Sequence, residues 1–116
     1  MNQSTGSDYV LAKGANSFGA VSDLVHKSSI KDHSNVEIEL SVNGETRQHG
    51  NTSQLIFDIP TLVSDISKYQ ELKEGDLIMT GTPEGVGSVF AGDKLSCVMR
   101  NGGENDELIR FEMDIV

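Results

Sequence analysis

The chain has 116 residues, 36% of them apolar and 23% charged, with 12 Gly, 2 Pro, one Cys and no Trp. That length holds one domain at most, with a modest core. A formal net charge of −9 repels phosphate backbones and anionic lipid surfaces, which argues against nucleic-acid and membrane partners.

The acid is spread along the chain and reads as a solubilising surface. The single Cys97 rules out an internal disulfide, and no paired Cys/His spacing marks a zinc module. No apolar run approaches the ~20 residues of a bilayer span. The N-terminal Met1-Asn2-Gln3-Ser4-Thr5 lacks the basic and apolar blocks of a signal peptide, so a cytoplasmic location is expected.

Residues 1–8 carry little to bury and are expected to form a disordered lead-in, with a single domain over 9–116. No period persists through residues 9–35. From Val36 the pattern alternates, placing Val36, Ile38, Leu40 and Val42 on one face and Glu37, Glu39 and Ser41 on the other, which predicts a half-buried strand. Asn43-Gly44 tolerates the positive φ of a type I′ turn and predicts a hairpin returning through Glu45 to Gln48. The polar stretch 49–53 then reads as a loop.

Asp58 is placed to cap a helix with Pro60 in its first turn, where a missing N–H costs little. Ile59, Leu62, Val63, Ile66 and Tyr69 form one stripe, which predicts a helix over about 59–70. Leu77-Ile78-Met79 reads as a short strand entering a glycine-rich segment from Thr80 to Gly87 that forbids regular structure. Strands are expected around 95–99 and from Ile109 to Ile115, with a turn at 101–103. This inventory predicts an α+β, mainly β fold with one clear helix.

Several residues could carry chemistry. The glycine segment is no Walker loop, since it lacks a closing Gly-Lys-Ser/Thr and opens no helix. It reads either as a tight connection or as an N–H-rich loop whose Thr80 and Thr82 hydroxyls suit a carboxylate or carbonyl oxygen. Lys13, in an apolar and glycine context, is either a surface lysine or a half-desolvated ammonium aimed inward. Glu37-x-Glu39 has the alternation of paired cation ligands, although the solvent face of a strand accounts for it equally simply. His26, His33 and His49 share no metal spacing, and Cys97 reads as a small core residue. Asp23, Asp32, His26 and His33 remain a set that could form an improvised site in the unplaced region.

Taken together, Ala12-Lys13-Gly14, Val42-Asn43-Gly44-Glu45 with Arg47-Gln48, Gly50-Asn51-Thr52-Ser53, Ile56 to Leu62, Gly75 to Ile78, Thr80 to Gly87 and Gly92-Asp93 resemble the fumarylacetoacetate hydrolase family. The likeness is to its acylpyruvase and 2-hydroxyhepta-2,4-diene-dioate isomerase-like members and spans residues 9–116. It implies part of a mixed β-roll, commonly dimeric, and a divalent cation, Mg²⁺ or Mn²⁺. The implied chemistry is hydrolysis, decarboxylation or keto–enol isomerisation of 1,3-dicarbonyl or 2-oxo acid substrates such as acylpyruvates. By the same resemblance Lys13 and Ser17 lie near the metal, Thr82 contacts substrate oxygen, and Gly81 and Pro83 shape its loop.

The sequence departs from the family pattern at Asn16 and Ala20, where relatives carry Asp and Pro. The family's metal-holding Glu-x-Glu pair and Asp, and a lid with a catalytic His and Glu, fall upstream of the Lys13 block. Glu37-x-Glu39 lies downstream and does not replace them. The expectation is therefore a partial catalytic domain with no direct carboxylate ligands of its own and no activity by itself. Such a domain would pair as a homodimer or join an N-terminal half. The alternative is a non-catalytic binding module that keeps the fold without the chemistry.

Overall fold

A computed structural model describes residues 19–104 and 106–116. Strand β1, Val36–Val42, is where the alternation placed it. Asn43 at φ 53° and Gly44 at φ 83° turn the chain into β2, Glu45–Asn51. Both central residues take positive φ, as a type I′ turn requires to match the right-handed twist of its strands. After a helix α1, Ile59–Ile66, and a long irregular stretch come β3, Lys94–Asn101, and β4, Asp106–Asp114. The four strands form one antiparallel sheet in the order β2-β1-β3-β4.

This is the α+β, mainly β class, with one α-helix among the described residues. Register is irregular at two places, between Leu40 and Ser41 and between Met99 and Arg100. The hairpin turn is tied to the turn before β3: Asn43 Nδ2 donates to Asp93 Oδ1 at 2.8 Å, and the Lys94 amide donates to Asn43 Oδ1 at 2.9 Å. Among the described residues the buried apolar side chains are Val36, Val42 and Val98.

Three local expectations are corrected. Residues 49–51 extend β2 instead of forming a loop, because Glu39, Ile38 and Glu37 pair with His49, Gly50 and Asn51. Ladder hydrogen bonds from β1 outweigh the turn preference of polar residues. The chain then enters a 3₁₀ turn at Thr52–Gln54, closed by a capping box between Asn51 and Gln54.

Helix α1 starts as expected, with Thr61 N–H donating to Asp58 Oδ1 at 2.8 Å, but it ends at Ile66 and not near 70. Beyond it Lys68 bonds to Asp65 and Tyr69 to Ile66 at i−3, and Gln70 bonds to the same Ile66 carbonyl. Tyr69 is 85% exposed, so no burial draws the helix further. Leu77-Ile78-Met79 is irregular and not a strand; Met79 is 91% exposed, and a lone extended segment without a ladder partner gains nothing from β geometry.

Candidate functional site

The glycine segment is pressed onto β2 by missing side chains. At Gly85, φ is +93° and a Cβ would lie 2.0 Å from the Arg47 carbonyl oxygen. At Gly50, a Cβ would meet Pro83 Cβ at 2.8 Å. Gln48 projects between these two contacts. Its Nε2 donates to Thr82 Oγ1 at 2.9 Å, to the Pro83 carbonyl at 2.9 Å and to the Glu84 carbonyl at 3.4 Å. Arg47 adds a longer bond from Nη1 to the Ser88 carbonyl at 3.4 Å. Residues far apart in the chain are thereby held as one wall.

That wall forms one side of a cleft of about 540 Å³. Thr80, Gly81, Thr82, Pro83 and Glu84 line it together with Gln54 to Phe57 and Ile38. Apolar surface with a few placed hydroxyls and carbonyls is the make-up of a small-ligand site. A second hollow of about 520 Å³ runs along α1. Its charged residues, Asp65 and Lys68, pair with each other at 3.0 Å in the open, and none of the glycine-loop residues reaches it. The cleft at Thr82 is the one that chemistry selects.

Of the residues singled out in the sequence, Thr80, Gly81, Thr82 and Pro83 come together here. Lys13, Ser17 and Asn16 lie outside the described residues, as does the 1–8 lead-in. Glu39 is already engaged: Arg100 Nη1 donates to it at 3.0 Å and Thr46 Oγ1 at 3.0 Å. The Arg100 guanidinium, then the Thr46 hydroxyl, hold its carboxyl below the usual carboxylate range.

His26 accepts from the Ser28 amide at a 3₁₀ turn, and Asp32 accepts from the Ser34 amide and hydroxyl. Cys97 is half-buried, and burial pushes its thiol pKa up, which makes it less reactive. Among the described residues no group of three or more His, Cys, Asp or Glu could hold a metal ion. No helix among them is long and apolar enough to cross a membrane.

Gln48, part of a motif block in the sequence but not singled out there, does not line the cleft and holds the loop that does. In the ladder it stands opposite Leu40, on the face that the alternation assigns to apolar residues. A polar amide at such a position needs hydrogen-bond partners from elsewhere in the fold.

The sequence profile of the fumarylacetoacetate (FAA) hydrolase C-terminal family matches residues 1–110. The chain belongs to the fumarylacetoacetate hydrolase family. It is 46% identical to the mitochondrial oxaloacetate decarboxylase of Dictyostelium discoideum over 77% of this chain and 41% of that protein. It is 45% identical to the mitochondrial oxaloacetate tautomerase FAHD1 of Arabidopsis thaliana, over 81% of this chain and 42% of that one. The chain thus spans about two fifths of the length of these relatives.

Among solved structures, the maleylpyruvate hydrolase of Sphingobium sp. SYK-6, in complex with manganese(II) ion and pyruvate, superposes with a TM-score of 0.69 at 34% identity. The match covers 78% of this chain and 32% of that one. The 5-carboxymethyl-2-hydroxymuconate delta-isomerase of Mycobacterium smegmatis gives 0.64 at 40% identity, over 73% and 32% of the two chains.

Proposed function

We propose that this chain supplies the substrate-oxygen side of a site for 2-oxo acids in a metal-dependent enzyme of this family. The observation that carries the reading is the Thr82 hydroxyl, fixed on a clamped loop at the edge of a cleft with apolar walls. Relatives named for oxaloacetate and maleylpyruvate support the substrate class. A hydroxyl held in place beforehand stabilises negative charge developing on a carbonyl oxygen without reorganising at the moment of reaction.

In this reading Gly81 and Pro83 set the loop's path and Thr82 donates to the substrate oxygen. Lys13 and Ser17 serve the cation, Mg²⁺ or Mn²⁺, whose carboxylate ligands come from outside the described residues. Acylpyruvates are the substrates proposed, and the cytoplasm the proposed compartment, although the relatives named above are mitochondrial. Isothermal titration with oxalate, which imitates the enolate of a 2-oxo acid, in the presence of Mn²⁺ tests the site. The expected result is saturable binding weakened about tenfold or more in Thr82→Val, which keeps the shape and loses the O–H. No binding at millimolar oxalate, or unchanged affinity in Thr82→Val, overturns the reading.

The proposed assembly is a homodimer. Ile56, Phe57, Leu77, Met79 and Phe90 are all exposed, a large apolar surface for a chain this small. Light scattering at micromolar concentration is expected to return twice the 12.5 kDa chain mass; a monomer rejects the dimer.

A further inference from the structure

We infer that Gln48 is a positioning residue that makes the Thr82 hydroxyl a one-way donor into the cleft, an inference that rests on the 2-oxo acid reading above. The amide's orientation is set by its partners. The carbonyls of Pro83 and Glu84 can only accept, so the nitrogen of Gln48, and not its oxygen, faces the loop. The same nitrogen sits 2.9 Å from Thr82 Oγ1, which must then accept as well. A threonine hydroxyl that accepts from a fixed N–H still has its own proton to give.

Two consequences follow for the hydroxyl. Its proton is directed away from Gln48 and is free for a ligand oxygen, and accepting one bond strengthens the bond that it donates. The loop cannot readily swing to undo this. Gly85 and Gly50 seat it against β2 at separations no side chain would allow. Gln48 itself is half-buried, while Thr82 is exposed to the cleft. Gln48 thus acts on a bound oxygen through Thr82.

The test uses the full chain and two readouts. Gln48→Met keeps the side-chain volume and removes the donor. Gln48→Glu keeps the size, replaces the donor by an acceptor and draws the Thr82 proton inward, and it serves also where Gln48→Met folds poorly. Backbone NMR order parameters are expected to fall from rigid towards flexible values at Thr82 and over 84–86 in either variant, with β1 and β3 unchanged.

With Mn²⁺ present, oxalate affinity is expected to fall about tenfold in Gln48→Met and further in Gln48→Glu. Gln48→Met is expected not to weaken binding further in a Thr82→Val background, as coupling through the hydroxyl requires. Equal losses in both backgrounds overturn the inference, because a merely structural role does not depend on Thr82. Unchanged order parameters at Thr82 and 84–86, or a fall across the whole sheet, also overturn it. Should the unsubstituted chain bind no oxalate, the 2-oxo acid reading fails, and the loop order parameters alone decide whether Gln48 holds Thr82.

Discussion

Gly85→Ala is expected to unseat the glycine loop, at a cost of about 3 kcal/mol. Two separate penalties meet at this position. The backbone sits at φ +93°, where an L side chain is strained, and the new Cβ would fall 2.0 Å from the Arg47 carbonyl oxygen, inside any tolerable contact. Gly75 separates them, because it has the same φ of +93° and a Cβ there would meet nothing within 4 Å.

Gly75→Ala therefore carries the backbone strain alone, about 1–2 kcal/mol. Urea unfolding of the two variants measures the difference, which reports the close approach of the loop to β2. Equal costs in the two variants would mean that the loop's seat on β2 contributes nothing.

Asn101→Ala is expected to destabilise the chain by about 2–3 kcal/mol, read as a lower urea midpoint. Asn101 is 2% exposed at the end of β3. Its Oδ1 accepts from the Lys31 amide at 3.0 Å, and its Nδ2 donates to the Ser29 carbonyl at 3.1 Å and to Asp106 Oδ2 at 2.8 Å. One side chain thereby fastens the segment before β1 to the start of β4. Alanine removes the partner of the Lys31 amide and of the Ser29 carbonyl, both part-buried bonds, and an unpaired group costs more than a made bond returns.

A pH dependence accompanies this loss. The Asn101 amide, then burial in the opposite sense, then Lys31, set the Asp106 pKa, with a net shift below the ordinary carboxylate value. A carboxyl with a depressed folded-state pKa contributes stability above its unfolded pKa of about 3.9, and that contribution disappears as pH falls through the folded value. The gap between the unsubstituted chain and Asn101→Ala is thus expected to be widest near neutrality and to narrow below about pH 4. A gap that is constant from pH 7 to pH 3 would show that the Asn101–Asp106 bond is not part of the effect.

Local chemistry was legible wherever neighbours in the chain determine structure. The Asn43-Gly44 turn follows from two residues that accept positive φ. The start of α1 follows from Asp58 and Pro60, which satisfy or omit the first N–H groups. The alternation from Val36 to Val42 gave the strand its ends because side chains change face at every residue. The family itself was legible in the order of its glycine, proline and asparagine positions, each a backbone requirement that few residues meet.

Contacts between distant segments were not legible. Whether polar residues 49–51 pair or loop depends on β1 offering a free ladder edge, and hydrogen bonds from a distant strand leave no local period. The end of α1 and the irregular path of residues 77–79 depend on whether anything packs against Tyr69 and Met79, a fact absent from their own spacing. The site divides in the same way. The loop with its Thr80 and Thr82 hydroxyls could be named from its own residues, because hydroxyls among glycines are a local signature, while the family resemblance singled out Thr82; the bond from Gln48, 34 residues earlier, could not be named. By itself the sequence determined which backbone turns and caps this chain makes and which family it belongs to, since those rest on the allowed φ and hydrogen-bonding capacity of single residues. Only the tertiary structure decided that Gln48, Gly50 and Gly85 act together on one loop, because a clamp is a matter of distance in space and sequence separation carries no record of it.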